Sequence, residues 1–180
     1  DALPIFYQCG GPNTGTGEWG RDVAVDDDGN VYLTGSFIGT ADFDPGPGVS
    51  ELSGGASGDG FLVKLDPAGT LLWAKEFGGT SGDRGNALAL DAAGNVYCTG
   101  QFNGTGYFYF GTDVVQLTGG GGFVYKLDPT GTTGWVRHIT GGSVPALDIT
   151  IDAVGNIHVI GFFYTSIDLD PGPGTQISTS

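Results

Sequence analysis

The stretch DDDGNVYLTGSF, at Asp26–Phe37, decides the fold, because the chain contains two further copies of it. It returns as DAAGNVYCTGQF at Asp91–Phe102 and as DAVGNIHVIGFF at Asp152–Phe163. A second stretch, GFLVKLDPAG at Gly60–Gly69, returns as GFVYKLDPTG at Gly122–Gly131. Recurrence at a spacing of about 62 residues indicates a repeat architecture, in which each copy is one structural unit that stacks on the next.

Each copy is predicted to form four β-strands, which we call A to D. In strand A, Val23 and Val25 alternate with the small Ala24, a pattern that predicts a strand packed on both faces. Strand B and strand C are rich in Val, Tyr, Phe and Thr, which favour extended backbone. The predicted strands are DVAVD (22–26), ALALD (87–91) and DITID (148–152) for A, about 30–37 and its copies for B, 61–66 and 123–128 for C, and 71–77 and 134–139 for D.

Two turn motifs connect these strands. D-x-x-G-N joins A to B, and D-P-x-G joins C to D. Asp caps the first corner, Pro fixes φ at the second, and Gly takes the left-handed position at the fourth, so both motifs predict tight hairpin turns. We therefore interpret the aspartates of these motifs as turn formers rather than ligands or catalysts: Asp26, Asp66, Asp91, Asp128 and Asp152.

Four-stranded antiparallel units that follow one another at a fixed period are typical of β-propeller blades. The fold class is therefore predicted to be all-β. The copies of D-x-x-G-N-V-Y-x-T-G, G-F-x-x-K-L-D-P-x-G and W-x-x-x-x-G-G resemble the bacterial β-propeller repeat called SBBP over almost the whole chain. The resemblance implies a propeller of large secreted or cell-surface bacterial proteins, generally without assigned catalysis, and it transfers no active-site residues.

The phase of the repeat predicts about two and a half blades that do not close a ring alone. The whole chain, 1–180, reads as one propeller segment: 1–11 as the last strand of a preceding blade, 12–79 as blade 1, 80–142 as blade 2 and 143–180 as a partial blade 3. A ring needs roughly four or more blades, and open sheet edges invite pairing with other strands. We therefore expect further blades or other chains to complete the open edges, in a larger protein or by self-assembly.

Composition and charge exclude several classes of partner. The chain has 6 Lys+Arg against 20 Asp+Glu, a net charge of -14, which argues against nucleic-acid binding. No window has the length and apolarity of a membrane-spanning helix, so no membrane insertion is expected. The 36 glycines belong in turns of a many-stranded protein rather than in helices. The acidic, lysine-poor composition favours an extracellular or cell-surface location.

The motif D-x-D-P-G-P-G, at Asp42–Gly48 and Asp168–Gly174, is the candidate metal site. Asp42 and Asp44 are predicted to share one strand face, as are Asp168 and Asp170, and carboxylates beside exposed carbonyls suit Ca²⁺. The alternative is an edge turn with solvated acids, and the second repeat has no counterpart of the motif. We expect no other cofactor.

Tyr107 and Tyr109 are the candidate ligand-stacking residues. Phe108 matches Phe43 of the first repeat and is predicted to face the core, which turns both tyrosines the other way. Exposed tyrosines can stack on sugar rings or anchor a protein partner, so a glycan is a candidate ligand. The alternative is an aromatic ladder covered by a neighbouring blade or chain.

No catalytic residue is predicted. His138 and His158 lie within strands and outside any recognisable nucleophile motif, and Cys9 and Cys98 occupy positions of buried apolar residues. We therefore expect a non-catalytic, extracellular structural or adhesive module. Two alternatives stay open, a carbohydrate- or Ca²⁺-binding propeller and a fragment of a propeller hydrolase or lyase.

Overall fold

A computed structural model of the chain describes residues 17–140, 145–164, 166–168 and 177–179. These residues are all-β, and none of them belongs to a helix long and apolar enough to cross a membrane. In chain order the strands of this part are β1 (Glu18–Val25), β2 (Val31–Phe37), β3 (Thr40–Asp42), β4 (Glu51–Ser53), β5 (Asp59–Leu65), β6 (Leu71–Gly79), β7 (Arg84–Leu90), β8 (Val96–Phe102), β9 (Thr105–Phe110), β10 (Asp113–Thr118), β11 (Gly121–Leu127), β12 (Gly134–Ile139), β13 (Ala146–Ile151), β14 (Ile157–Gly161), β15 (Ser166–Asp168) and β16 (Ile177–Thr179).

The four-stranded units predicted from the repeat are present as antiparallel sheets. Strands β1, β2, β5 and β6 are the A, B, C and D strands of the first sheet, and β7, β8, β11 and β12 are those of the second. Strands β13 and β14 form an A–B pair of the third repeat. All these neighbours are antiparallel, and the sheets do not close into a barrel, so the predicted fold class is confirmed.

A hairpin between strands B and C was not predicted from the sequence. It is formed by β3–β4 in the first repeat, β9–β10 in the second and β15–β16 in the third. Strand β9 also pairs with β6 of the first blade, where Phe108 lies opposite Phe77, so the first sheet has six strands. The second repeat is therefore joined to the first blade by backbone hydrogen bonds.

The largest hydrophobic cluster fills the space between the first two blades. Tyr32, Leu62 and Phe77 of the first blade pack in it against Phe123 and Tyr125 of the second. Cys98 is a buried free thiol of the same cluster, 3.4 Å from Thr34 Oγ1 of the first blade. Burial raises the pKa of this thiol to about 12, so it is an apolar filler, as the sequence suggested.

The turn aspartates have the role predicted for them. Asp26 Oδ1 accepts the amides of Asp28 and Asn30, and the glycine of the turn, Gly29, has a φ of +83°. The carboxylates of the other four motifs accept equivalent hydrogen bonds, and their glycines also have positive φ: Asp66, Asp91, Asp128 and Asp152, with Gly69, Gly94, Gly131 and Gly155.

Strand A of the first blade differs from its prediction as a strand packed on both faces. Val23 and Val25 are 57% and 60% exposed, whereas Leu88 and Ile149 on the later A strands are buried. Leu88 packs against the first blade and Ile149 against the second, so each A strand buries these residues on the preceding blade. The segment that precedes β1, residues 1–16, lies outside the described residues, as do the predicted strand at 1–11 and Cys9.

Candidate functional site

The A–B turn of the first blade forms a polar cluster with strand B. Asn30 donates through its side chain to Asp26 Oδ2 at 2.8 Å, and the Tyr32 hydroxyl donates to the same oxygen at 3.3 Å. Burial alone would raise the pKa of Asp26, but the hydrogen bonds from Asn30 and Tyr32, with nearby Lys64, lower it. Asp26 is thus a firmly ionised acceptor.

Lys64 connects this cluster to the second blade. Its side chain is 7% exposed, and Nζ lies 3.9 Å from Asp26 Oδ2 and 4.9 Å from the centre of the Tyr32 ring. Nζ also donates to the Pro129 carbonyl at 3.2 Å, and Trp73 Nε1 donates to the same oxygen at 3.1 Å. Because Pro129 belongs to the C–D turn of the second blade, two side chains of the first blade hold one backbone carbonyl of the second. We call this arrangement the interblade carbonyl contact.

The second blade repeats the donors of this contact. The Tyr97 hydroxyl donates to Asp91 at 3.0 Å, Lys126 Nζ lies 5.3 Å from the Tyr97 ring centre, and Trp135 packs edge-on against the same ring. Burial and Asp91 raise the pKa of Tyr97 to about 12. Within the described part of the chain, however, neither Lys126 Nζ nor Trp135 Nε1 has a hydrogen-bond acceptor. The second blade therefore presents the same donors without a carbonyl between them.

A groove of about 410 Å³ lies between the A–B turns of the two blades. Its walls include Asp27, Asp28 and Asp91, and Lys64 and Pro129 of the interblade carbonyl contact also border it. Aspartates outnumber lysine in this lining, and Lys64 is already paired, so the groove disfavours anions. Of its aspartates, Asp27 and Asp28 can accept hydrogen bonds from hydroxyl groups. The sequence predicted the turns but not that two of them would enclose a groove.

The two candidate stacking tyrosines are exposed on one face of β9. Tyr107 and Tyr109 are 36% and 38% exposed, and Phe108 between them is completely buried, as the alternation predicted. Burial, followed by the charges of Glu76 and Asp59, raises the pKa of Tyr109. The Tyr109 hydroxyl is thus protonated at neutral pH and lies close to acidic side chains.

The first candidate metal loop is closed by its own carboxylates. Asp42 Oδ1 accepts the amides of Asp44 and Ser50, at 3.0 and 2.8 Å, and Asp44 Oδ1 accepts the amide of Gly46 at 2.8 Å. Strand β3 ends at Asp42, so Asp44 lies beyond the strand, where the Asp42 carboxylate turns the chain. Phe43 between the two acids is completely buried and both acids are half-buried, as the predicted alternation requires. The described residues contain no group of three or more acidic, His or Cys ligands, and Ca²⁺ at this loop stays a prediction.

The second copy of the loop is described only in part. Asp168 ends the short strand β15, which pairs with β16, whereas Asp170 lies outside the described residues. The histidines are engaged locally: His138 Nε2 lies 2.8 Å from the Gly120 carbonyl and His158 Nε2 lies 3.2 Å from Asp152 Oδ2. Within the described residues, each histidine thus contacts an acceptor of its own repeat.

Comparison with known proteins gives two matches. Residues 6–40 and 72–108 match the family model described as SBBP, beta-propeller repeat, so the resemblance seen in the sequence is confirmed. The chain is also similar to an uncharacterized WD repeat-containing protein of Acanthamoeba polyphaga mimivirus, with 22% identity over 154 residues. That alignment covers 78% of this chain and 11% of the viral protein, so the chain spans a small part of that relative.

Proposed function

Because the chain carries SBBP-type β-propeller repeats, we propose that it is a non-catalytic, extracellular structural or adhesive module within a larger protein or assembly. The acidic composition, with a net charge of -14, supports an exposed, soluble surface rather than contact with nucleic acid or anionic membranes. The wider setting implied by the repeat, secreted or cell-surface bacterial proteins, supports the location.

The interblade carbonyl contact is the observation that carries this proposal. In the first blade Lys64 and Trp73 hold the Pro129 carbonyl of the next blade, and the second blade places Lys126 and Trp135 in the same way. A half-buried carbonyl held by two donors fixes the position of one blade on the next. Donors repeated on the second blade therefore suit a further blade or another chain, which would supply the C–D turn.

Chemical labelling of lysine amines tests the assembly part of the proposal. We expect Lys64 to resist acylation both in the 180-residue chain and in the natural assembly, because it is buried in the interblade carbonyl contact. We expect Lys126 to react in the isolated chain and to be protected in the assembly. Equal labelling of Lys126 in both samples would show that nothing covers the second blade's donors there.

The non-catalytic part of the proposal requires its own experiment. The acids of the groove support it, because Asp26 and Asp91 are already saturated by turn amides, Asn and Tyr side chains. Incubation with a panel of polysaccharide and ester substrates should give no turnover above buffer. Turnover that disappears on substitution of Asp27 and Asp28 would favour the hydrolase or lyase alternative instead.

A carbohydrate-binding role is the second candidate, and the exposed face of β9 favours it. Tyr107 and Tyr109 present two phenol rings beside acidic side chains, an arrangement that can stack on a sugar and accept its hydroxyls. The double substitution Tyr107→Ala with Tyr109→Ala should abolish binding on a glycan array. Tyr164→Ala, which removes a tyrosine that is 72% exposed elsewhere, is the matched control and should leave binding intact.

A further inference from the structure

Two buried carboxylates, Asp59 and Asp83, approach each other at the junction of the first two blades. Asp59 begins β5 and Asp83 precedes β7, and they are 8% and 2% exposed. Asp59 Oδ1 and Asp83 Oδ2 each lie 2.7 Å from the point where a Cβ on Gly78 would stand. The two oxygens therefore border one small space and are separated by no more than twice that distance.

The hydrogen bonds of this pair are unequal. Asp83 accepts the Gly79 amide and the Asn103 amide, both at 2.7 Å, one on each oxygen. Asp59 Oδ2 accepts the Gly55 amide at 3.1 Å, whereas Asp59 Oδ1 is buried and has no hydrogen-bond partner among the residues that the structure describes. A buried carboxylate oxygen without a partner is costly, so the free oxygen, which faces the space at Gly78, points to a missing ligand.

The charge of the pair is also uncompensated. Among the described residues the ion pairs are Lys64–Asp26 and His158–Asp152, so no cationic side chain pairs with Asp59 or Asp83. Burial raises the pKa of Asp83 to about 7, with the Asp59 charge adding to the effect, and burial and Glu76 raise the pKa of Asp59. The junction therefore holds an excess of negative charge that either protons or a cation must balance.

We propose that Asp59 Oδ1 and Asp83 Oδ2 bind a hard divalent cation of the Ca²⁺ type at this junction. Ca²⁺ lies about 2.3–2.6 Å from its oxygen ligands, so two oxygens on opposite sides of the ion are up to about 5 Å apart, which suits this space. The Gly79 carbonyl borders the same region, since Gly79 O and Asp59 Oδ1 lie 3.1 and 3.7 Å from the Cβ position of Gly55. Water completes the coordination.

The expected affinity is low, because the site has few charged ligands. No third Asp, Glu, His or Cys joins the pair within the described residues. Ca²⁺ sites of extracellular modules have dissociation constants of about 10⁻⁴–10⁻³ M, and a site with fewer carboxylates binds the ion more weakly. A site of this strength fills at extracellular calcium levels and tightens the junction of two blades there.

The next junction of the chain provides an internal comparison. Register places Gly121 where the first blade has Asp59, because Asp59 pairs with Phe37 and Gly121 pairs with the equivalent Phe102. In the sequence, Val144 occupies the position of Asp83. Both acids are thus replaced together, and the site is specific to the first junction. It is also separate from the Asp42–Gly48 loop.

Terbium luminescence and calcium-dependent melting test the proposal on the wild-type chain. Tyr107 pairs with Gly78, so its ring is on the side of the sheet that carries the site and can sensitise bound Tb³⁺. We expect Tb³⁺ emission that Ca²⁺ displaces, and a Ca²⁺-dependent rise in Tm with a midpoint of about 0.1–1 mM. The absence of both responses at pH 8 would overturn the proposal and leave protons as the balancing charge.

Substitutions then locate the ion. Asp59→Asn and Asp83→Asn should each weaken the calcium response at least tenfold, whereas Asp42→Asn with Asp44→Asn should leave it unchanged. A response that follows the second pair instead would refute this assignment. If Asp59→Asn fails to fold, Asp83→Asn alone decides the matter, because it removes the other carboxylate of the same site; an unchanged calcium response in that variant would refute the assignment.

Discussion

Replacing Phe108 by Ala should strongly destabilise the chain, because this side chain joins the second repeat to the first blade. Phe108 lies opposite Phe77 in the β6–β9 pairing and is completely buried. Its ring stacks on Phe77 at 5.7 Å and meets Phe123 and Tyr125 edge-on at 5.0 and 5.3 Å. The substitution would therefore leave a cavity among several aromatic rings that belong to both blades.

The expected cost is about 4 kcal/mol of unfolding free energy, within the 3–5 kcal/mol typical of Phe→Ala in a core. The cavity cannot collapse easily, because the surrounding rings are held on three different strands, β6, β8 and β11. Tyr109→Ala on the other face of the same strand is the matched control. Since that ring is partly exposed, its removal should cost about 1 kcal/mol or less.

Equilibrium urea denaturation, followed by tryptophan fluorescence and far-ultraviolet circular dichroism, measures both variants. A lower midpoint with an unchanged slope for Phe108→Ala would show loss of stability without loss of cooperativity. Phe108→Leu should recover much of the difference, because it refills part of the cavity. A cost below about 1.5 kcal/mol for Phe108→Ala, or one equal to that of Tyr109→Ala, would refute the view that β9 fastens the two blades together.

Three further predictions concern charged side chains. Lys64→Met should lower the free energy of unfolding in urea by about 1.5–3 kcal/mol, because it removes a charged donor from the interblade carbonyl contact. Lys126→Met should be nearly neutral. Similar costs for the two variants would contradict the role given to Lys64 in this contact. With a chelator present, the free energy of unfolding should fall as the pH rises from about 3.8 towards 7. The cause is the Asp83 carboxyl, whose pKa of about 7 in the folded chain exceeds the 3.8 of the free side chain. Melts of Asp83→Asn across that pH range should show a flatter slope. If the slope were unchanged, the carboxyl would not titrate there. For the Asp42–Gly48 loop, we expect Asp42→Asn with Asp44→Asn to leave any Ca²⁺-dependent rise in Tm unchanged, because backbone amides already occupy both carboxylates. A rise that this double substitution removes would favour the metal interpretation over the solvated turn.

The sequence was sufficient for the parts of the fold that depend on local chemistry. The Asp and Gly of each turn motif and the Val, Tyr, Phe and Thr content of strands B and C act within a few residues, so Asp26, Gly29 and β8 were predictable. The β9–β10 hairpin was not, because β9 pairs with β6, which belongs to another repeat and is distant in the sequence. Its exposed Tyr107 and Tyr109 were predictable only because they alternate with the apolar Phe108.

The candidate sites also differ in how far the sequence could predict them. The sequence identified the acids of the Asp42–Gly48 loop from their spacing, and the structure then showed that backbone amides occupy these carboxylates. Asp59 and Asp83 carry no motif, and in the sequence they are single acids beside glycines. Their burial results from three glycine-containing segments meeting at the blade junction, which no local pattern reports.

The pairing of β9 with β6 has a consequence for how such chains can be duplicated or recombined. The sequence period suggests that one repeat could be excised or inserted as a cassette, yet the first sheet takes its outer two strands from the second repeat. A cut between Gly79 and Arg84 would therefore leave β6 as an unprotected edge on one product. The unit that can be transplanted intact is therefore larger than one repeat, because β9 shields the edge of β6 while β8, which precedes β9 in the chain, pairs with β11.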